Sequence, residues 1–165
     1  MPTIPIVERP YRGDDLETVV RIYTDSIHSL AAAHYSKDQL EAWAPHTPDL
    51  IRWGERLAGL NTIIAECNGA PAGFISYASS GYIDLAFTAP RYARCGIAAH
   101  LFRFIEGSLS TSGVAHLTVH ASLSARSFFE RMGFVVDQEE VVECRGALLR
   151  RFGMSKPIAA SSTPN

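Results

Sequence analysis

The 165-residue chain has few cysteines, no strong excess of either charge and no long apolar run. Each lack removes a class of protein. The three cysteines, Cys67, Cys95 and Cys144, are odd in number and widely spaced. They suggest neither a disulfide framework nor a Cys-x-x-Cys metal site, and a reducing cytoplasm is the expected location. A net charge of −2 creates no basic field, so neither nucleic acid nor membrane is expected as a partner. No stretch approaches the roughly 18 apolar residues of a membrane span. The opening MPTIPIVERP lacks the basic and apolar regions of a secretory signal. His28, His34 and His46 are spaced six and twelve apart, which matches no zinc signature, so no metal is expected. What is present is a globular composition, 47% hydrophobic and 19% charged.

Residues 7–12 read as a strand, followed by Asp14 as a helix cap and by apolar positions Leu16, Val19, Val20, Tyr23, Ile27 and Leu30 at helical spacing. Ser36 with Gln39 forms a capping-box pattern for a second helix that Pro45 ends. PDLIRWGERLAG reads as a third helix, closed by Gly59. Two apolar runs then flank Asn68-Gly69, a strong hairpin signal. GYIDLAFTAP is a further strand, ended by Pro90. A helix, a strand, a short helix with Ser124 as cap and Gly133 as terminator, and two strands complete the chain. This order argues an α+β fold in which one strand–helix–strand crossover makes a parallel pair. A single domain over 1–155 and a flexible tail over 156–165 are expected.

One segment departs from ordinary helix grammar. RYARCGIAAHLF (Arg91–Phe102) enters an apolar helix with no Ser, Thr, Asp or Asn cap and with two arginines at the entry. Positive charge is disfavoured at a helix N-terminus unless an anion arrives from outside. Free N–H groups, with small Gly96 and Ala98, suit a phosphate, although small residues at a helix start serve close packing as often. Neither a Walker loop nor Gly-x-Gly-x-x-Gly is present.

DLAFTAPRYARCGIAAHLF (Asp84–Phe102) resembles the acetyl-CoA-binding motif of the GNAT-type N-acetyltransferases. The family pattern places Arg or Gln, two residues, Gly, one residue, then Gly or Ala. Gly96 and Ala98 fit it, while Ala93 departs at the first position. ASLSARSFFERMGF (Ala121–Phe134) resembles the family's later motif, in the same order along the chain. The resemblance covers nearly the whole chain and implies a mostly antiparallel central sheet with one splayed parallel strand pair and helices on both faces. It also implies acetyl-CoA as the acyl donor, with the pyrophosphate on the backbone of Arg94, Cys95, Gly96, Ile97 and Ala98. Arg91 and Ala93 lie beside that site. Leu85, Ala86 and Phe87 would pair with the pantetheine arm, and Ser124, Ser127 and Phe128 would contribute from the second motif.

The implied reaction is direct attack of an amine on the thioester. Asp84 matches the family's frequent base; an exposed or cross-strand role for it is the alternative. Period-two alternation puts Tyr82, Asp84 and Ala86 on one face of the strand, and Ile83, Leu85 and Phe87 on the other. Phe129 stands where many relatives carry a tyrosine acid and cannot donate a proton. His120 is a candidate acid or base because imidazole titrates near neutrality. Tyr23, His28, Tyr35 and Trp43 fall in the segment that walls the acceptor site in the family. The expected activity is acetyl transfer from acetyl-CoA to a primary amine of a small molecule, by a monomer or homodimer. The alternatives are a protein lysine or N-terminal acetyltransferase, and a non-catalytic acetyl-CoA sensor motivated by Ala93 and Phe129.

Overall fold

The computed structural model describes residues 4–159. Seven strands form one sheet in the order β1-β2-β3-β4-β5-β7-β6. They are β1 (Ile6–Pro10), β2 (Asn61–Cys67), β3 (Ala70–Tyr77), β4 (Tyr82–Thr88), β5 (His116–Ser122), β6 (Val135–Cys144) and β7 (Ala147–Pro157). Five helices accompany them: α1 (Leu16–Leu30), α2 (Lys37–Trp43), α3 (Leu50–Ala58), α4 (Ile97–Thr111) and α5 (Arg126–Arg131). Every strand pairing is antiparallel except β4 with β5. The architecture is the mixed α+β sheet expected from the element order.

Two apolar clusters cover the two faces. Leu101, Phe102 and Ile105 of α4, with Phe129 of α5, pack against Ile75, Ile83, Val119 and Met154. On the other face Val19, Tyr23 and Ile27 of α1, Leu40 of α2 and Leu57 of α3 pack against Ile64, Phe74, Leu85 and Leu149.

The β4–β5 pair is the discontinuity that makes a site. Register joins only Tyr82 to Thr118 and Ile83 to Val119. From Asp84 to Thr88 the edge of β4 has no partner in β5, because the strands diverge. The start of the pair is drawn tight: a Cβ on Gly81 would lie 2.5 Å from the His116 carbonyl oxygen.

Local signals had mixed outcomes. The Ser36–Gln39 capping box forms, with Gln39 N–H donating to Ser36 Oγ at 3.2 Å and Ser36 N–H to Gln39 Oε1 at 2.8 Å. Asn68 and Gly69 both take positive φ (51° and 77°), the geometry of a tight hairpin. Asp14 does not cap α1. A 3-10 turn over Gly13–Asp15 precedes it, and Asp15 is held by Arg9 at 2.8 Å and by the Arg12 N–H. Ser124 does not cap α5 either; the hydroxyl of Ser122 accepts from Ala125 N–H at 3.2 Å. The final strand runs through Pro157, so Lys156 and Pro157 belong to the sheet rather than to a tail. Residues 160–165 of the expected tail lie outside the described residues.

Candidate active site

The start of α4 is built from backbone that a side-chain cap would obstruct. After the single 3-10 turn Pro90–Tyr92, Arg94 (φ 62°) and Gly96 (φ 82°) take left-handed conformations that turn the chain into the helix. Gly96 is the N-cap and makes no side-chain cap bond. The N–H groups of Ile97, Ala98 and Ala99 belong to the first helical turn, which has no intrahelical acceptors. A Cβ on Gly96 would meet nothing within 4 Å, so glycine is needed there for its φ while the space before the helix stays open. Positive helix-end charge and outward N–H groups fit a diphosphate.

The cradle is seated by a residue the sequence did not signal. At Gly73 in β3 a Cβ would come 2.7 Å from the Ile97 side chain and 2.9 Å from the Phe87 carbonyl oxygen. Its missing side chain lets the helix entry lie on the sheet. Arg91 folds back over Tyr92, 4.8 Å from the ring centroid, and donates to its hydroxyl at 3.1 Å. Arg94 and Cys95 are exposed, and the Cys95 thiol points at the Ala93 carbonyl at 3.6 Å.

Beside the β4–β5 divergence lies a cavity of about 500 Å³, lined by Tyr23, Tyr35, Trp43, Asp84, Phe87 and His120 among others. Leu85 and Ala86 also line it. Asp84 is placed by a bulge. Ser76 registers with Leu85 and Tyr77 with Ile83, leaving Asp84 unmatched. The extra residue breaks the period-two expectation: Ile83 packs with the α4 cluster, whereas Leu85 and Phe87 pack with the α1 cluster. The Asp84 carboxylate is engaged at 2.8 Å by Nε of Arg56 from α3.

His120 stands on β5 with its Nδ1 2.8 Å from Glu140 Oε1 and its ring edge-on to Tyr82 at 5.8 Å between centroids. Glu140 on β6 also accepts from Arg151 Nε on β7 at 2.6 Å. That bond, with the neighbouring positive charge, holds the Glu140 carboxyl below its usual range. With Nδ1 turned to this carboxylate, the opposite edge of the ring carries Nε2.

The aromatic wall is fixed by hydroxyl bonds. Tyr23 donates to the Trp43 carbonyl at 3.2 Å and packs edge-on against Trp53 and Phe87. Burial pushes its phenol up to about 12. Tyr35 donates to the Arg150 carbonyl at 2.9 Å and accepts from Leu123 N–H at 2.9 Å. His28 is not among the residues lining the cavity; its Nε2 lies 2.7 Å from the Ala44 carbonyl oxygen. Ser124, Ser127 and Phe128 are also outside the lining, which takes Ser122, Ala125 and Phe129 from that region. Arg56, Tyr82, Glu140 and Arg151 were missed in the sequence. Tyr82 shares a strand with Asp84, but the others sit on elements whose alignment only the fold determines.

A parallel pair that parts after two registered residues, beside a helix start with free N–H groups, matches the acyl-CoA-dependent transferases that the sequence motifs resemble. Comparison with known proteins agrees. The family model of the acetyltransferase (GNAT) domain matches residues 31–155. An Escherichia coli K12 protein described as an uncharacterized N-acetyltransferase, YafP, is 39% identical over 146 residues, covering 88% of this chain and 92% of that protein. The crystal structure of a GCN5-related N-acetyltransferase from Rhodopseudomonas palustris is 33% identical, with a TM-score of 0.91, covering 96% of this chain and 99% of that one. The PaiA N-acetyltransferase of Thermoplasma acidophilum, solved with coenzyme A, is 20% identical with a TM-score of 0.71 over 94% of this chain and all (100%) of that one, a likeness of fold. The chain belongs to the GNAT acetyltransferase family and is an N-acetyltransferase.

Proposed function

We propose that the protein transfers the acetyl group of acetyl-CoA directly to a primary amine of a small molecule. The observation that carries this reading is the cavity of about 500 Å³, walled by Tyr23, Tyr35, Trp43 and Phe87, with Asp84 and His120 among its polar groups. That volume and lining suit a compact ligand held by shape and a few polar contacts.

Acetyl-CoA supplies a thioester whose thiol is a good leaving group, with an ordinary pKa of about 8.5. The backbone N–H groups of Ile97, Ala98 and Ala99 and the charges of Arg91 and Arg94 hold its pyrophosphate. The unpaired edge of β4 from Asp84 to Thr88 orients the pantetheine arm by backbone hydrogen bonds. An acceptor amine with a pKa of about 10 arrives mostly protonated. The Arg56-held Asp84 carboxylate offers the ammonium an anionic partner, and the Nε2 of His120 accepts the proton. The amine nitrogen then bonds to the acyl carbon as the carbon–sulfur bond breaks, the electron pair leaves on sulfur, and the proton shed by the new amide nitrogen passes to the thiolate. Phe129 is buried and takes no proton role. Orientation in such a site is worth about 7–11 kcal/mol of barrier.

The test is a calorimetric titration with acetyl-CoA, repeated on Gly96→Glu, followed by thiol-release assays on small amines and on peptides. Micromolar binding abolished by the glutamate, with turnover on small amines, is expected. Turnover confined to peptide amines would overturn the acceptor class.

A further inference from the structure

His28, Glu41 and His46 lie on three different segments: the last turn of α1, the middle of α2, and the connection between α2 and α3. Folding nevertheless brings one donor atom from each to within 4.8 Å of the others. The two imidazole rings sit 4.1 Å apart between centroids and are inclined by 32°. His28 is pinned through Nε2 to the Ala44 carbonyl at 2.7 Å. A ring that donates one N–H to a backbone carbonyl carries a lone pair on its other nitrogen, which is how histidines that bind metals are usually oriented. Glu41 Oε2 lies 2.5 Å from His46 Nδ1, and Oε1 accepts the His46 N–H at 3.1 Å.

We propose that His28, Glu41 and His46 form a binding site for a divalent transition-metal ion of the zinc type. Two imidazoles and one carboxylate make a three-ligand set that favours zinc over magnesium or calcium, which take oxygen donors almost exclusively. Ligands of a tetrahedral zinc stand about 3.3 Å apart. Glu41 and His46 are exposed, with 52% and 67% of their side-chain surface open, and have room to close the remaining gap by side-chain rotation. A water completes the fourth position. None of the three residues lines the acceptor cavity, so the ion takes no part in acyl transfer. It cross-links the end of α1 to α2 and to the following loop, and so braces the segment carrying Trp43, whose carbonyl Tyr23 holds. The proposal stands apart from the identity of the acceptor. The spacing along the chain hides the site because each ligand comes from a separate element.

The experiment is a titration of chelator-stripped, tag-free protein with Zn²⁺, followed by calorimetry and by thermal unfolding. One equivalent bound with a micromolar or tighter Kd is expected, with a rise of several degrees in the unfolding midpoint. Magnesium should not compete. His46→Ala and Glu41→Gln, both at exposed positions, should weaken binding at least tenfold and abolish the midpoint shift. Cys95→Ser, which removes the exposed thiol as a rival ligand, should leave the affinity unchanged. The absence of saturable one-to-one binding would overturn the site. So would binding that survives His46→Ala, or binding that Cys95→Ser removes.

Discussion

Glu140 accepts from Arg151 and lies 2.8 Å from Nδ1 of His120, so a single carboxylate steadies the imidazole that lines the cavity. Replacing His120 by Gln keeps a polar side chain of similar reach but removes the ring nitrogen proposed to take the proton. A fall in kcat of about 10²–10⁴-fold is expected, the usual scale for a lost general base. The affinity for acetyl-CoA should stay unchanged in the same variant. An unchanged kcat would show that His120 only fills space. Tyr23 tests burial rather than chemistry. Its phenol ionises at about 12 in the folded protein and at about 10 when unfolded. The raised folded value means that this stability is fully present below pH 10. It is lost as pH rises towards 12, by about 3 kcal/mol in all. Tyr23→Phe should cost about 1 kcal/mol at neutral pH by deleting the bond to the Trp43 carbonyl. Compared with wild type, it should be flatter between pH 10 and 12 in urea unfolding. The lining of the cavity was half legible in the sequence. Asp84, His120, Tyr23, Tyr35 and Trp43 were recognisable as residue types in a familiar order, whereas Arg56 and Glu140 look like ordinary surface charges until the fold aligns them.

Elements were legible where their signals are local and failed where distant groups compete. Ser36 and Gln39 satisfy each other within one turn, so the pattern alone suffices. Asp15 is instead drawn to Arg9 across a strand–helix junction, and Ser122 displaces Ser124 because the β5–α5 turn brings its hydroxyl to Ala125. The bulge at Asp84 had no sequence signal, since alternation of apolar and polar residues cannot show that one residue lacks a cross-strand mate. Gly96 and Gly73 make separable predictions for the proposed coenzyme cradle. Gly96→Ala meets no neighbour but forces a side chain into φ 82°, with a stability cost of about 1–3 kcal/mol. Gly73→Ala keeps ordinary backbone but drives a methyl group into Ile97 and the Phe87 carbonyl. Displacing the helix entry should therefore weaken coenzyme binding at least tenfold by calorimetry. If Gly73→Ala binds as wild type does, the seating of α4 by that glycine is disproved.

At the scale of the whole molecule the sheet is two pieces held by a short seam. β1 to β4 form one run and β5, β7 and β6 the other, and only two residue pairs of β4 and β5 register across the join. The element order made this topology readable, because the crossover through α4 demands a parallel pair. How soon the pair parts was not readable, since divergence leaves no mark on composition. Stability across the join must come from groups that reach over it, and Tyr35 is the clearest of these. From the segment between α1 and α2 its hydroxyl gives a proton to the Arg150 carbonyl on β7 and takes one from Leu123 after β5. Burial raises its phenol pKa, so the neutral, doubly bonded form is the one the fold holds. Tyr35→Phe keeps the ring against Trp43 while leaving one donor and one acceptor unmatched in a part-buried place. The expected loss is about 1–3 kcal/mol, read as a lower urea midpoint with unchanged slope. For a chain of this size that corresponds to a thermal midpoint lower by about 2–12 °C. Hydrogen exchange should quicken at Leu123 and along the neighbouring β7 amides while the α4 core stays protected. A loss spread evenly over both halves would mean that Tyr35 contributes only packing and that the join is held by the α4 and α5 cluster alone.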